Sequence, residues 1–419
     1  MSELFHIDYE SRSEVEIGDK NNREGVGLYN YLRHPSTQPL MLAYALGNAK
    51  PQLWEIAKGE SMPAFVRERF MDPTQPMAAW NSGFERGMTL VKLGIDIPIE
   101  RWQDPQASSR YLSLTGKLEI DGQVLNLGRE FAKDDRGEDL IQLFSRLTVI
   151  KATKKNPEAR EYFNDWNTHP KEWEEFGVYC KQDVVAEREI MRKLRLLGVF
   201  PLPERERRIW IFDQRVNDRG MPVNLEFVEK AYKLACRAKE AALANQQRLT
   251  GLENANSNTQ MLAWAHTQGY KPNTLRKERV TATLKYEKET LTPLCVRVLE
   301  ARKAASSTTY KKLAAILRQV CPDNRMRNQF IYMGSARCGR WTGSGFQMHN
   351  LARPDKRFED KKNVEKGRAL IFAEDYQGII DAFGKKPEEN NGDVDYGAVL
   401  LTVKNLIRTV FEVANESYS

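Results

Sequence analysis

The chain has 419 residues, 41% of them hydrophobic, 29% charged and 10% aromatic, which supplies cores for two to three domains and excludes a fibrous or low-complexity protein. No apolar run approaches the roughly 20 residues of a membrane span, and the acidic start MSELFHIDYESRSEVEIGDK lacks the basic-then-apolar layout of a secretory signal, so a membrane partner is excluded and a cytoplasmic location expected. The net charge of +7 is uneven: residues 1–200 hold 27 Lys and Arg against 31 Asp and Glu, leaving 37 against 26 in residues 201–419, so the second part is the candidate for phosphate binding, with solvated helix faces as the plain alternative.

In chain order, LFHIDYES, PLMLAYALG and PQLWEIA read as strands, and MPAFVRERFMD as a helix. QPMAAWNSG reads as a further strand running into the helix FERGMTLVKLG. GREFAKDDRGEDLIQLFSRL and EWEEFGVYCKQDVVAEREIMRKLRLLG carry long helical patterns. This is α/β alternation. The two prolines of VFPLPERE, residues 199–206, mark a domain boundary. Beyond it the pattern turns helical. NLEFVEKAYKLACRAKEAALANQQRL opens on Asn224 as N-cap, and SNTQMLAWAHTQGY and PLCVRVLEARKAASSTTYKKLAAILRQV follow. Strand character returns at NQFIYMG, then the Gly-, Arg- and Ser-rich stretch GSARCGRWTGSGFQMHNLARP, then a helical tail whose KKPEENNGD reads as a surface loop. The five cysteines, Cys180, Cys236, Cys295, Cys321 and Cys338, form no CxxC pair. They read as free thiols in a reducing compartment and argue against a zinc site.

Three acidic stretches carry the chemistry. In HIDYES, Asp8 and Glu10 are two apart on a strand and project from one face. Paired like charges there mean either a solvated edge strand or a divalent-cation site. AWNSGFERG, with Asn81, Phe84 and Glu85, lies at a strand-to-helix junction, and YCKQD sets Tyr179 and Asp183 four apart on one helical face. Asp-x-Glu, Asn-x-x-Phe-Glu and Tyr-x-x-x-Asp, in that order within about 200 residues, resemble the proofreading 3′–5′ exonuclease domain of the DnaQ-like, RNase H-fold family.

The resemblance implies an α/β RNase H-like domain over residues 1–200 in which Asp8, Glu10, Glu85 and Asp183 hold two Mg²⁺ or Mn²⁺ ions. Hydrolysis of a phosphodiester needs an activated water and a stabilised leaving 3′-oxygen, and hard cations held by carboxylate oxygens supply both. It implies that Asp8 bridges the two ions, that Glu10 and Asp183 bind the one nearer the nucleophile, and that Tyr179 orients the attacking water. Asn81 and Phe84 are placed against the substrate strand. The family's second motif ends Phe-Asp whereas this chain has Phe84-Glu85, so Glu85 either coordinates or yields that place to Asp104 of RWQDPQASS.

The later sequence extends the resemblance to family A DNA polymerases of bacteriophage type. FDQRVNDRGMPVN, residues 212–224, looks like their join between exonuclease and thumb, which implies a mainly helical thumb at 201–328. EARKAASSTTYKKL places Arg302, Lys303, Ser306, Lys311 and Lys312 together for phosphate contact. GSARCGRWTGSGFQMHN resembles the family's minor-groove segment, with Arg340, Gln347 and Asn350 matching and Cys338 in place of the usual Thr. Glycines there let the backbone approach, and amides meet acceptors common to all base pairs.

An incomplete palm is then expected over 329–419. Neither AEDYQGIID, with Asp375 and Tyr376, nor DVDYGAVL, with Asp395 and Tyr396, has the context of a palm metal motif. The implied function is the proofreading portion of a family A polymerase, in the host cytoplasm if viral. Its partners would be a single-stranded 3′ end, primer-template duplex DNA and a second polypeptide bearing the palm core and fingers. A non-catalytic DNA-clamping subunit is the alternative, and an RNA-directed exonuclease is disfavoured by the thumb and minor-groove segments.

Overall fold

Alternation of apolar and polar residues in FHIDYESR produces β1 (Phe5–Arg12), the middle strand of a five-stranded sheet. Our computed structural model describes residues 3–18, 25–128, 136–150, 152, 158–305, 309–351, 353–386 and 394–411. After α1 (Leu28–Arg33), β2 (Gln38–Leu46) pairs antiparallel with β1 and β3 (Gln52–Trp54) antiparallel with β2. Following α2 (Ala64–Met71), β4 (Met77–Ala78) returns parallel to β1. It leads into α3 (Gly83–Leu93), and β5 (Trp102–Gln103) adds parallel to β4. The sheet order is β3-β2-β1-β4-β5. Then come α4 (Pro105–Tyr111), α5 (Leu118–Val124), α6 (Gly137–Ser145), the small antiparallel pair β6 (Thr148–Ile150) and β7 (Arg160–Tyr162), and the long helices α7 (Pro170–Leu196) and α8 (Glu204–Arg219).

Both faces of the sheet are covered. Phe5, Ile7 and Tyr9 of β1 join Leu42, Tyr44, Phe70, Met88 and Trp102 in one core. Leu40, Met41, Ala43 and Ala45 of β2 pack against Phe144 of α6 and Trp173, Phe176, Tyr179 and Val184 of α7 on the other. β1 pairs with β2 along its length but with β4 only at Phe5 and His6, and Asp8 and Glu10 are half-buried rather than fully solvated.

The chain divides into two compact units, Met1–Gly220 with Arg327–Gln347, and Met221–Met326 with Met348–Ser419. The joins lie at 220, 326 and 347, where the sequence reading put them at 200 and 328. In the second unit β8 (Met221–Pro222) precedes α9 (Leu225–Thr250), whose N-cap Asn224 accepts from the Phe227 amide at 2.8 Å. Next are α10 (Asn258–Thr267), α11 (Lys277–Tyr286), α12 (Pro293–Ala305), α13 (Thr309–Gln319) and β9 (Arg325–Met326), which pairs with β8. In the first unit β10 (Phe330–Ser335) and β11 (Arg340–Gly343) form a hairpin. The second unit ends with α14 (Lys361–Phe372), α15 (Tyr376–Phe383) and α16 (Gly397–Leu406).

Two local expectations are revised. The helix read over 128–147 is, among the described residues, only α6, because Arg146 turns extended. The strand read in QPMAAWNSG shrinks to Met77–Ala78, because Asn81 adopts a left-handed φ of 65° that ends the extended run. No helix among the described residues is long and apolar enough to cross a membrane.

Candidate active site

On β1, Phe5, Ile7 and Tyr9 point into one core, so His6, Asp8 and Glu10 must face α7. Opposite Asp8 on β2 is Ala43, whose methyl leaves the carboxylate room, and opposite Glu10 is Met41. The helical repeat of α7 places Tyr179, Asp183 and Glu187 in a row along the facing surface. The Tyr179 hydroxyl donates to Asp183. Its ring is buried, nearly parallel to Phe176 at 6.1 Å between centroids. Gly137 at the start of α6 lies against that ring, and a Cβ there would overlap it.

Glu85 enters from the first turn of α3 and is 4% exposed. The helix is tied to β1 through Thr89, whose hydroxyl donates to the Glu85 carbonyl at 2.8 Å and lies 3.2 Å from the Tyr9 hydroxyl. Glu85 Oε2 is buried with no hydrogen-bond partner among the described residues. Burial, then the negative charge of Asp8, hold this carboxyl well above the usual carboxylate range. The rival candidate Asp104 is otherwise engaged. It caps α4 by accepting from the Gln106 amide at 2.9 Å, and it accepts from the amides of Asn81 at 3.1 Å and Ser82 at 3.0 Å and from the Ser82 hydroxyl. That clamp holds the strand-to-helix turn in which Asn81 is exposed and Phe84 half-buried, its ring 6.4 Å from that of Tyr31. Burial raises Asp104 to about 6.

The remaining electrostatics point the same way. Burial, then the charges of Asp183, Glu10 and Asp8, push the Tyr179 hydroxyl far up. Burial, then Asp8, Glu10 and Asp183, do the same for the Cys180 thiol. One side-chain oxygen each from Asp8 and Glu10, together with Cys180 Sγ, lie within 4.8 Å of one another. Of the five residues read as catalytic, Asp8 and Glu10 share this cluster, Tyr179 feels the charges of Asp183, Glu10 and Asp8, and Glu85 feels that of Asp8. Carboxylate oxygens of like charge at half-buried Asp8 and Glu10, beside the orphaned, buried Oε2 of Glu85, are donors of the kind hard divalent cations take.

Sequence reasoning passed over three residues here. Cys180 follows Tyr179 in YCKQD, and its Sγ lies 3.5 Å from the Asp8 carbonyl oxygen and 3.6 Å from Asp8 Oδ2. His6 Nδ1 meets Glu187 Oε1 at 3.2 Å, both side chains almost wholly buried. The available signals were helical: Cys180 is three residues before Asp183 and Glu187 four after it.

The residues read as DNA-binding divide. Arg340 is exposed on the hairpin, its Nε 3.0 Å from Cys338 Sγ. Trp341 Nε1 donates to Asp213 at 2.6 Å, and Asn217 bonds both the amide and the carbonyl of Phe330, so the hairpin is fixed to α8. Gln347 has a left-handed φ of 56°. In the second unit Lys311 is exposed, Lys303 is half-buried on α12, and Lys312 Nζ donates to the Asn350 carbonyl at 2.8 Å. Arg302 is a structural tie rather than an open cation, bonding the Ala255 carbonyl and Asn258 Oδ1, both at 2.8 Å. Ser306 lies outside the described residues. Asp375 caps α15 and Asp395 accepts from the Lys385 amide.

No family model matches the chain. A DNA polymerase of Bacillus phage SP02 is 30% identical over 414 residues, 98% of this chain and 58% of that protein. A solved structure, the POL domain of Pol1 from M. smegmatis in complex with DNA primer-template and dNTP, superposes at a TM-score of 0.48 with 12% identity, covering 97% of this chain and 75% of that one. The chain spans little more than half the length of the curated relative it matches. In sequence it is a relative of a phage DNA polymerase.

Proposed function

We propose that this chain carries the 3′–5′ exonuclease of a family A DNA polymerase relative, with the first unit as the exonuclease and the second as thumb and part of the palm. The observation that supports the reading is the clustering of Asp8 and Glu10 on β1, with Glu85 of α3 and Tyr179 of α7 close enough to feel their charge and Tyr179 that of Asp183. The sheet order β3-β2-β1-β4-β5, with β2 antiparallel to both its neighbours, supports an RNase H-like domain. The phage relative named as a DNA polymerase supports DNA as the substrate.

Asp8, Glu10, Glu85 and Asp183 would hold two Mg²⁺ or Mn²⁺ ions. When bound, such ions make a water acidic enough to attack a phosphodiester and offset charge on the leaving 3′-oxygen. The protein's own part is positional. Asp104 holds the turn that carries Asn81 and leads to Phe84, whose amide and ring would meet the sugar-phosphate and base of a frayed 3′ end. Tyr179, immobilised by Phe176 and Gly137, holds its hydroxyl on Asp183 and so fixes the orientation of that carboxylate.

The test is digestion of single-stranded oligonucleotides labelled at either end, with Mg²⁺ or Mn²⁺. Stepwise shortening from the 3′ end is expected, lost by at least about 100-fold in Asp8→Ala. Retention of DNA without any cleavage by the wild type would instead favour the clamping subunit.

A further inference from the structure

Magnesium takes oxygen ligands and leaves sulfur aside, whereas zinc and cadmium take both. A buried thiol inside a carboxylate cation site therefore changes which ions the site prefers. Cys180 is such a thiol. It is fully buried, its Sγ is 3.6 Å from Asp8 Oδ2, and it shares a 4.8 Å sphere with ligand oxygens of Asp8 and Glu10. For a tetrahedral ion with metal–sulfur and metal–oxygen bonds of about 2.3 and 2.1 Å, the sulfur–oxygen edge is about 3.6 Å. The Sγ–Oδ2 spacing, at which the thiol here donates to the carboxylate, equals that edge. Glu85, more than nine-tenths buried, adds an orphaned Oε2 whose carboxylate feels the charge of Asp8.

We propose that Cys180 makes the Asp8–Glu10 site a seat for thiophilic divalent cations of the Zn²⁺ and Cd²⁺ class, which occupy it through one sulfur and the carboxylates in competition with Mg²⁺. Binding breaks the Sγ–H bond, releases the proton to solvent and forms an Sγ–metal bond, with no change of oxidation state. The inference rests on the cation-site reading above, and it makes cation choice a property of one α7 side chain.

The experiment is a Cd²⁺ titration of the full chain in Mg²⁺-free buffer, following the ultraviolet thiolate-to-cadmium charge-transfer band. Cys236 and Cys338, the two cysteines that are not buried, are replaced by serine so that they give no signal. The band should saturate at one Cd²⁺ per chain, be displaced by excess Mg²⁺, and vanish in Cys180→Ala and in Cys180→Ser, with Cd²⁺ affinity reduced at least about 10-fold. Far-ultraviolet circular dichroism establishes that at least one of these variants is folded. A band of unchanged amplitude in a folded variant, or one indifferent to Mg²⁺, overturns the inference. Oligonucleotide digestion by the wild type separates the two readings. Cleavage with Mg²⁺ but no Cys180-dependent band removes this inference and leaves the exonuclease. A Cys180-dependent band without cleavage under any Mg²⁺ condition does the reverse.

Discussion

Glu85 is a carboxylate that folding buries beside another carboxylate, an arrangement that costs stability unless a cation compensates. Glu85→Gln should therefore stabilise the ion-free protein at pH 8, by about 1 kcal/mol, while weakening Mn²⁺ binding. Urea unfolding with and without Mn²⁺ measures both, and a variant less stable than wild type without ions would contradict the account. Gly137 tests the positioning of Tyr179. Gly137→Ala forces a methyl into the phenol ring, at a cost of about 1–3 kcal/mol, and cleavage should fall far more than substrate affinity. Equal losses in kcat and KM terms, or none, would show that the ring is not held there for chemistry. Asp213, beneath Trp341, carries the pH prediction. Burial raises it from 3.8 to about 6. An acid raised by folding lends stability below its unfolded value and loses it as pH climbs through the folded one. The stability of wild type relative to Asp213→Asn should thus fall by about 2 kcal/mol between about pH 4 and 6 and stay level above 7, which thermal unfolding across pH would show.

At the scale of elements, β1 and α7 form the site by lying face to face, and the His6–Glu187 contact joins them just beyond Asp8 and Asp183. Removing one partner leaves the other buried and unsatisfied. His6→Ala should cost about 3 kcal/mol, and His6→Val with Glu187→Leu should recover most of it. If both variants unfold at the same denaturant concentration, the contact does not couple strand to helix. These two elements were legible in sequence because their signals are local: alternation exposes Asp8 and Glu10 together, and a four-residue step aligns Tyr179 with Asp183. Glu85 and Asp104 were left as rivals because only the folded chain shows Asp104 spent on four hydrogen bonds at the Asn81–Ser82 turn and on the cap of α4. Cys180 was invisible for the same reason, since its neighbour Asp8 is 172 residues away. The short strands β4 and β5, two residues each, carry no periodicity to read.

At the scale of the whole molecule, the chain passes from the first unit to the second and back before finishing in the second, because the β10–β11 hairpin docks on α8 through Asn217 and Asp213. Composition along the chain cannot show this. It locates the charge change near residue 200, whereas packing follows side chains that meet only after folding. The hairpin's exposed Arg340 is proposed to contact DNA phosphate. Arg340→Ala should then weaken duplex binding equally across sequences and lower the salt-dependence slope by about 1, as measured by fluorescence anisotropy across a salt series. An unchanged slope would remove Arg340 from the DNA surface.

The central claim is that carboxylates from β1, α3 and α7 close around divalent cations. Anomalous diffraction from crystals soaked in Mn²⁺ tests it most directly. The account predicts anomalous peaks bounded by Asp8, Glu10 and Asp183, absent from crystals of Asp8→Ala. Manganese bound elsewhere, or a vacant carboxylate face at saturating Mn²⁺, would contradict it.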